Sequence, residues 1–179
     1  MVWDPSTGAC LSTLRGHSNP VSSLAFKPDD PNILVTGSWD KTVKLWDLAT
    51  STCFSTMKVD TGLDGVRSVS FSPNGDIIAA GCGNGKIYFV DPTAGEIKSS
   101  LTGHKSSVSS VHFSPDGTKL VTGSYDRTVK IWNPTTGEEL CQLRGEKPIL
   151  SVAFSPDGQL FATGDGDLHN PMEAGTVKI

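Results

Sequence analysis

One pattern of about 40–45 residues runs through this chain four times, and repetition at that length restricts the fold more than any other feature. A unit of that size cannot bury an apolar face by itself, so each unit must pack on the next. Gly103 to Asn133 shows the pattern whole: GHKSSVSSVHFSPDGTKLVTGSYDRTVKIWN. A short run with Val108, Val111 and Phe113 meets the turn Ser114-Pro115-Asp116-Gly117, then KLVTGSYD, a second turn and TVKIW. Runs rich in β-branched residues between Pro- and Gly-bearing turns predict strands. The pattern recurs as GHSNPVSSLAFKPDDPNILVTGSWDKTVKLWD from Gly16, VRSVSFSPNGDIIAAGCGNGKIYFVD from Val66, and ILSVAFSPDGQLFATGDGD from Ile149, which resumes at GTVKI. Phe26, Phe71, Phe113 and Phe154 keep the beat.

Gly-His at one end, Trp-Asp at the other and four strand signals per unit make the chain similar to the WD40 family of β-propellers over essentially its whole length. The resemblance implies an all-β fold of WD40 blades: four four-stranded antiparallel sheets, the last incomplete, in an open partial ring. One repeat domain over 1–179 is expected, with units at about 16–58, 59–101, 103–143 and 145–179. Residues 1–15 then form the tail of a preceding or circularly completed blade, ACLSTL being the outer strand that the fourth blade lacks. The cut inside a third strand favours part of a longer propeller over a small closed ring. The first unit carries a longer turn, KPDDPN, and the fourth carries an insertion, Asp165 to Glu173, at its second turn. Asp165, Asp167, His169 and Glu173 are metal-ligand types but match no metal-loop spacing, so a plain surface loop is expected there.

Within each blade the resemblance implies a buried hydrogen-bond chain from the Trp indole to Thr, His and Asp. The spacing puts it on His17, Thr36, Asp40 and Trp46 in the first unit, and on His104, Thr122, Asp126 and Trp132 in the third. The indole N–H only donates, the carboxylate only accepts, and the hydroxyl and imidazole between them do both, so the chain can be satisfied throughout. A triad-like catalytic reading of Ser/Thr, His and Asp is outweighed because the same set recurs in register. The second unit has Ala80, Asn84 and Val90 at these places. The fourth keeps Thr163 and Asp167 but carries Glu146 for the histidine.

The family docks partner peptides on the face carrying the first-strand starts and second turns. Matched to this sequence, those positions are Pro20, Ser22 and Trp39, then Gly65, Arg67 and Gly83, then Ser107, Ser109 and Tyr125, then Pro148 and Leu150. Trp39 and Tyr125 are the aromatic type enriched in interface hot spots, although each could instead pack sideways on the next blade. Arg67 could meet an acidic or phosphorylated group or stay solvated.

The expected function is a non-catalytic protein-interaction scaffold. A phosphoinositide- or nucleic-acid-binding propeller is the alternative, and a propeller enzyme the least favoured. A net charge of −4 with no basic block speaks against a polyanion partner. No apolar run is long enough to insert in a membrane. Cys10, Cys53, Cys82 and Cys141 form no Cys-x-x-Cys pair, which suits reduced thiols in an intracellular, cytoplasmic or nuclear protein with no metal or cofactor. A homodimer completing an eight-bladed ring is expected from the two uncovered end blades.

Overall fold

The computed structural model of the chain describes residues 1–166 and 175–179. Among them every regular element is a β-strand. β1 (Val2–Trp3) and β2 (Cys10–Ser12) pair in a two-stranded sheet. The first blade is β3 (Val21–Lys27), β4 (Asp30–Ser38), β5 (Thr42–Asp47) and β6 (Thr52–Lys58), hydrogen-bonded in that order. The second is β7 (Val66–Phe71), β8 (Ile78–Cys82), β9 (Ile87–Asp91) and β10 (Glu96–Leu101). The third is β11 (Val108–Phe113), β12 (Leu120–Ser124), β13 (Thr128–Trp132) and β14 (Glu139–Arg144). The fourth is β15 (Ile149–Phe154), β16 (Phe161–Asp165) and β17 (Val177–Lys178). All pairings are antiparallel, in the four-bladed propeller arrangement.

The Ser-Pro-Asp/Asn-Gly turns join β7 to β8, β11 to β12 and β15 to β16. Gly75, Gly117 and Gly158 take φ of 72°, 73° and 70° there. In the third blade the Ser114 Oγ donates to Asp116 at 2.6 Å and accepts from the Lys119 N–H, so the side chains close the turn. The first blade departs from the longer turn expected over KPDDPN. Pro28 and Asp29 alone make the turn, Lys27 pairs with Asp30, and β4 starts early. The Lys27–Asp29 ion pair, at 2.6 Å, spans the tip, and Asp30 accepts the Asn32 N–H at 3.0 Å.

Blades meet where a glycine on one sheet receives a β-branched residue of the next. A Cβ on Gly37 would lie 2.6 Å from Val66, one on Gly81 2.8 Å from Val108, and one on Gly123 2.6 Å from Ile149. Those knobs seat the thin apolar layers between blades. Val66, Val69 and Phe71 pack with Val35, Val43 and Leu45, and Val108, Val111 and Phe113 pack with Ala79, Ile87 and Phe89. Ile149 and Val152 close on Val121 and Val129. The equivalent flank of the first blade stays open: Val21, Leu24 and Phe26 are 50%, 57% and 52% exposed. Among the described residues the slot at Gly164 is open too, its nearest neighbour being Ser151 at 3.9 Å. ACLSTL is not joined to the fourth blade here. Cys10–Ser12 pairs with its own neighbour Val2–Trp3, the partner that a local turn presents first.

Candidate protein-docking site

Each inner hairpin begins with a β-bulge, between Val21 and Ser23, Val66 and Ser68, Val108 and Ser110, and Ile149 and Ser151. The extra residue in each, Ser22, Arg67, Ser109 or Leu150, leaves the ladder and is turned toward one end of the propeller, as bulges re-aim side chains. All four line a single cavity of about 360 Å³ together with Pro20, Val21, Trp39 and Tyr125. Trp39 is 46% exposed and Tyr125 is half-buried.

The aromatic turns are pinned to the inner strands by one repeated bond. The N–H of Trp39 donates to Pro20 O, Gly83 to Gly65 O, Tyr125 to Ser107 O and Gly166 to Pro148 O, all at 3.0–3.1 Å. Gly166 therefore holds in the fourth blade the place that Trp39 holds in the first. Gly65 has φ of 74°, and a Cβ there would fall 2.4 Å from the Trp39 Cα, so the second blade's inner strand runs directly under the Trp39 turn.

Below these turns lie the polar chains of the first and third blades. The Trp46 Nε1–H donates to Thr36 Oγ1 at 2.8 Å, and His17 Nε2 lies 2.7 Å from the same oxygen. His17 Nδ1 stands 2.8 Å from Asp40 Oδ2. In the third blade the matching distances through Trp132, Thr122, His104 and Asp126 are 2.9, 2.7 and 3.1 Å. With Nδ1–H donating to the carboxylate, Nε2 must accept from the threonine hydroxyl, whose oxygen takes the indole N–H; every group is then matched. Burial works to raise the Asp40 pKa, but hydrogen bonds from Thr42, His17 and the Ser18 N–H outweigh it and hold the carboxyl at about 2. Burial lowers the His104 pKa against the opposing pull of Asp126, so the ring is neutral near pH 7.

Several members of these networks have no role in the sequence reading. Thr42 and Thr128 hydroxyls bridge the aspartate to the histidine in each blade. Ser38 and Ser124 hydroxyls donate to Asn19 O and Ser106 O and accept the aspartate N–H. The shared wording of SWDKT and SYDRT was the available signal. In the second blade the Tyr88 hydroxyl and the Asn84 amide both donate to Asp60 O, at 2.8 and 2.6 Å. A loop carbonyl thus replaces the missing histidine. In the fourth blade Asp165 accepts from the Thr176 N–H and Oγ1, at 2.9 and 2.8 Å, which closes the base of the insertion. Asp167 and His169 through Glu173 lie outside the described residues.

Three proposed docking positions have a different occupation. Ser107 is only 4% exposed, its Oγ enclosed and without a partner among the described residues, so it is not offered at the surface. Ser22 and Ser109 do reach the cavity, but each hydroxyl sits between two main-chain carbonyls. Ser22 reaches Gly37 O at 3.0 Å and, across the blade boundary, Val66 O at 2.5 Å; Ser109 reaches Gly123 O at 2.9 Å and Ile149 O at 2.5 Å. They staple neighbouring blades. Arg67 lies with its guanidinium carbon 4.8 Å from the centre of the Trp39 ring.

The sequence pattern described as WD domain, G-beta repeat matches residues 8–47, 52–91, 95–133 and 137–169. The chain is a WD40-repeat protein. Each matched WD40 stretch begins near the outer strand of one sheet and runs through the inner strands of the next, so the sequence unit straddles two sheets. Among curated relatives, the chain is 41% identical over 107 residues to Ribosome biogenesis protein ytm1 of Pyrenophora tritici-repentis, covering 58% of this chain and 22% of that one. It is 42% identical over 91 residues to Periodic tryptophan protein 2 homolog of Mus musculus, 51% of this chain and 10% of that one. Against Periodic tryptophan protein 2 of Arabidopsis thaliana it is 32% identical over 172 residues, 94% of this chain and 19% of the relative. The matched part thus spans less than a quarter of each of these relatives.

Proposed function

We propose that the chain is a non-catalytic docking scaffold, and that a segment of a protein partner lies across the mouth bounded by Trp39, Tyr125, Pro20 and Leu150. The observation that carries this is the convergence of all four bulge residues and both aromatic turns on one cavity. Half-exposed aromatics on pinned turns supply contact area at low ordering cost, the property of interface anchors. The reading as a scaffold without chemistry rests on the hydrogen bonds. Ser22 and Ser109 hydroxyls already donate to carbonyls, and His17 and His104 are committed between Asp and Thr. A lining with one cation among the described residues is a poor match for nucleic acid or a phosphoinositide. The relatives named for ribosome biogenesis support an intracellular setting, and a nuclear one in particular, with a place in a multi-protein assembly.

The test uses the tagged chain as bait beside Trp39→Ser and Tyr125→Ser. Partners held by the wild type should be lost from both variants at unchanged melting temperature. Retention of the same partners by both would refute docking at this mouth. A second reading concerns assembly. We propose that the open flank of Val21, Leu24 and Phe26 takes the open Gly164 face of a second copy, two copies completing one ring through a pair of equivalent contacts.

A further inference from the structure

Resting on the docking reading above, we propose that the mouth recognises a carboxylate side chain, Asp or Glu, of an extended partner segment, and that Arg67 is its receptor. Four positions in this fold are equivalent by register, and they hold Ser22, Arg67, Ser109 and Leu150. Two of the four use a serine to staple their blade to the next. The second blade gives up that staple for a long cation placed in the cavity. Apart from its contact with the Trp39 ring, an arginine there does nothing visible for the fold. Among the described residues it forms no ion pair, and its Nε–H is covered and has no acceptor. A covered donor with no acceptor is unfavourable as it stands. Among the described residues no carboxylate lines the cavity to relieve it.

The surroundings select the class of anion. Trp39 presents its ring to the guanidinium at 4.8 Å, which holds the fork near the mouth and shields one side from water. The edge of an arginine carries parallel N–H groups matched to the two oxygens of one carboxylate. A phosphate dianion needs further donors, and of the lining hydroxyls those of Ser22 and Ser109 are already spent on carbonyls, which leaves that of Tyr125 beside Arg67. One cation in a lining of Pro20, Val21, Trp39, Tyr125 and Leu150 therefore suits one carboxylate flanked by apolar residues. The chain as a whole carries −4, so its long-range field does not gather acidic segments. Recognition depends on this local pair.

The experiment selects short peptides from a displayed random library on the full chain. The selected sequences are then synthesised in acidic, amide (Asn or Gln) and phosphoserine versions. We expect an Asp or Glu at one fixed position, a loss of about tenfold or more in affinity for the amide version, and weaker binding as salt rises. Arg67→Ser should lose the same factor while its melting temperature stays level or rises, because serine restores the staple found in two other blades. Arg67→Lys should fall between, keeping the charge without the fork. Peptides with no fixed acidic position, or equal binding by Arg67→Ser, would overturn the carboxylate assignment while leaving docking at the mouth intact. Tighter binding of the phosphoserine version would overturn the choice of anion. Binding unaffected by Trp39→Ser and Tyr125→Ser would overturn the docking reading itself.

Discussion

Replacing Thr122 by valine removes one oxygen from the third blade and almost no volume. Thr122 is fully buried, and its hydroxyl is the single junction between the Trp132 indole and the His104 ring. Valine leaves two groups without partners: the indole N–H and the neutral imidazole nitrogen, both closed off from water. Each stranded group costs about 1–3 kcal/mol, so Thr122→Val should cost about 2–6 kcal/mol. Valine is no neutral substitute for a threonine whose hydroxyl is used in this way. In a Trp132→Phe background the indole donor is already gone, and the same substitution strands only His104, for about 1–3 kcal/mol. The two substitutions should therefore couple by about 1–3 kcal/mol. Urea unfolding followed by far-ultraviolet circular dichroism measures all four corners of the cycle, with the denaturant slope showing whether each variant unfolds the same surface. A cost for Thr122→Val below about 1 kcal/mol, or an equal cost in both backgrounds, would refute the directed hydrogen-bond chain.

Two further outcomes follow from the same coordinates. Burial depresses the pKa of His104 and of His112, whose Nδ1 accepts the Phe154 N–H across a blade boundary at 3.3 Å. The unfolded chain then binds more protons below the ordinary histidine value, so the melting temperature should fall as pH drops from about 7.5 to about 5.5, and a flat profile would refute this. If the open flank takes a second copy, light scattering should give twice the chain mass, and Phe26→Asp should return the monomer; a wild-type monomer across the working concentration range would end the dimer proposal.

The blades were legible in the sequence because their determinants are local. Ser-Pro-Asp-Gly sets a turn by its own backbone preferences and side-chain hydrogen bonds, whatever surrounds it. The members of each Trp-Thr-His-Asp chain lie within one blade, on its strands and the segments beside them, so spacing along the sequence reports spacing in the blade. The short first turn escaped the same reading because its length is set by the pairing of Lys27 with Asp30, which starts β4 early. What passes between sheets was invisible for a physical reason. Nothing in VSS or VRS states which carbonyl of the next blade a side chain will meet. Ser22 became a staple only when Val66 O was brought to it across the boundary. Asp60 became an acceptor for Tyr88 and Asn84 only when its loop folded back over the blade. Arg67 was a candidate for an anionic group from the sequence, but its place over Trp39, a residue of the preceding blade, and its lack of an ion pair among the described residues came only with the fold. Sequence alone determined the sheets and their internal polar chains, because short-range geometry decides them. Tertiary structure decided the mouth, because its walls come from four separate hairpins that meet only after the blades have packed.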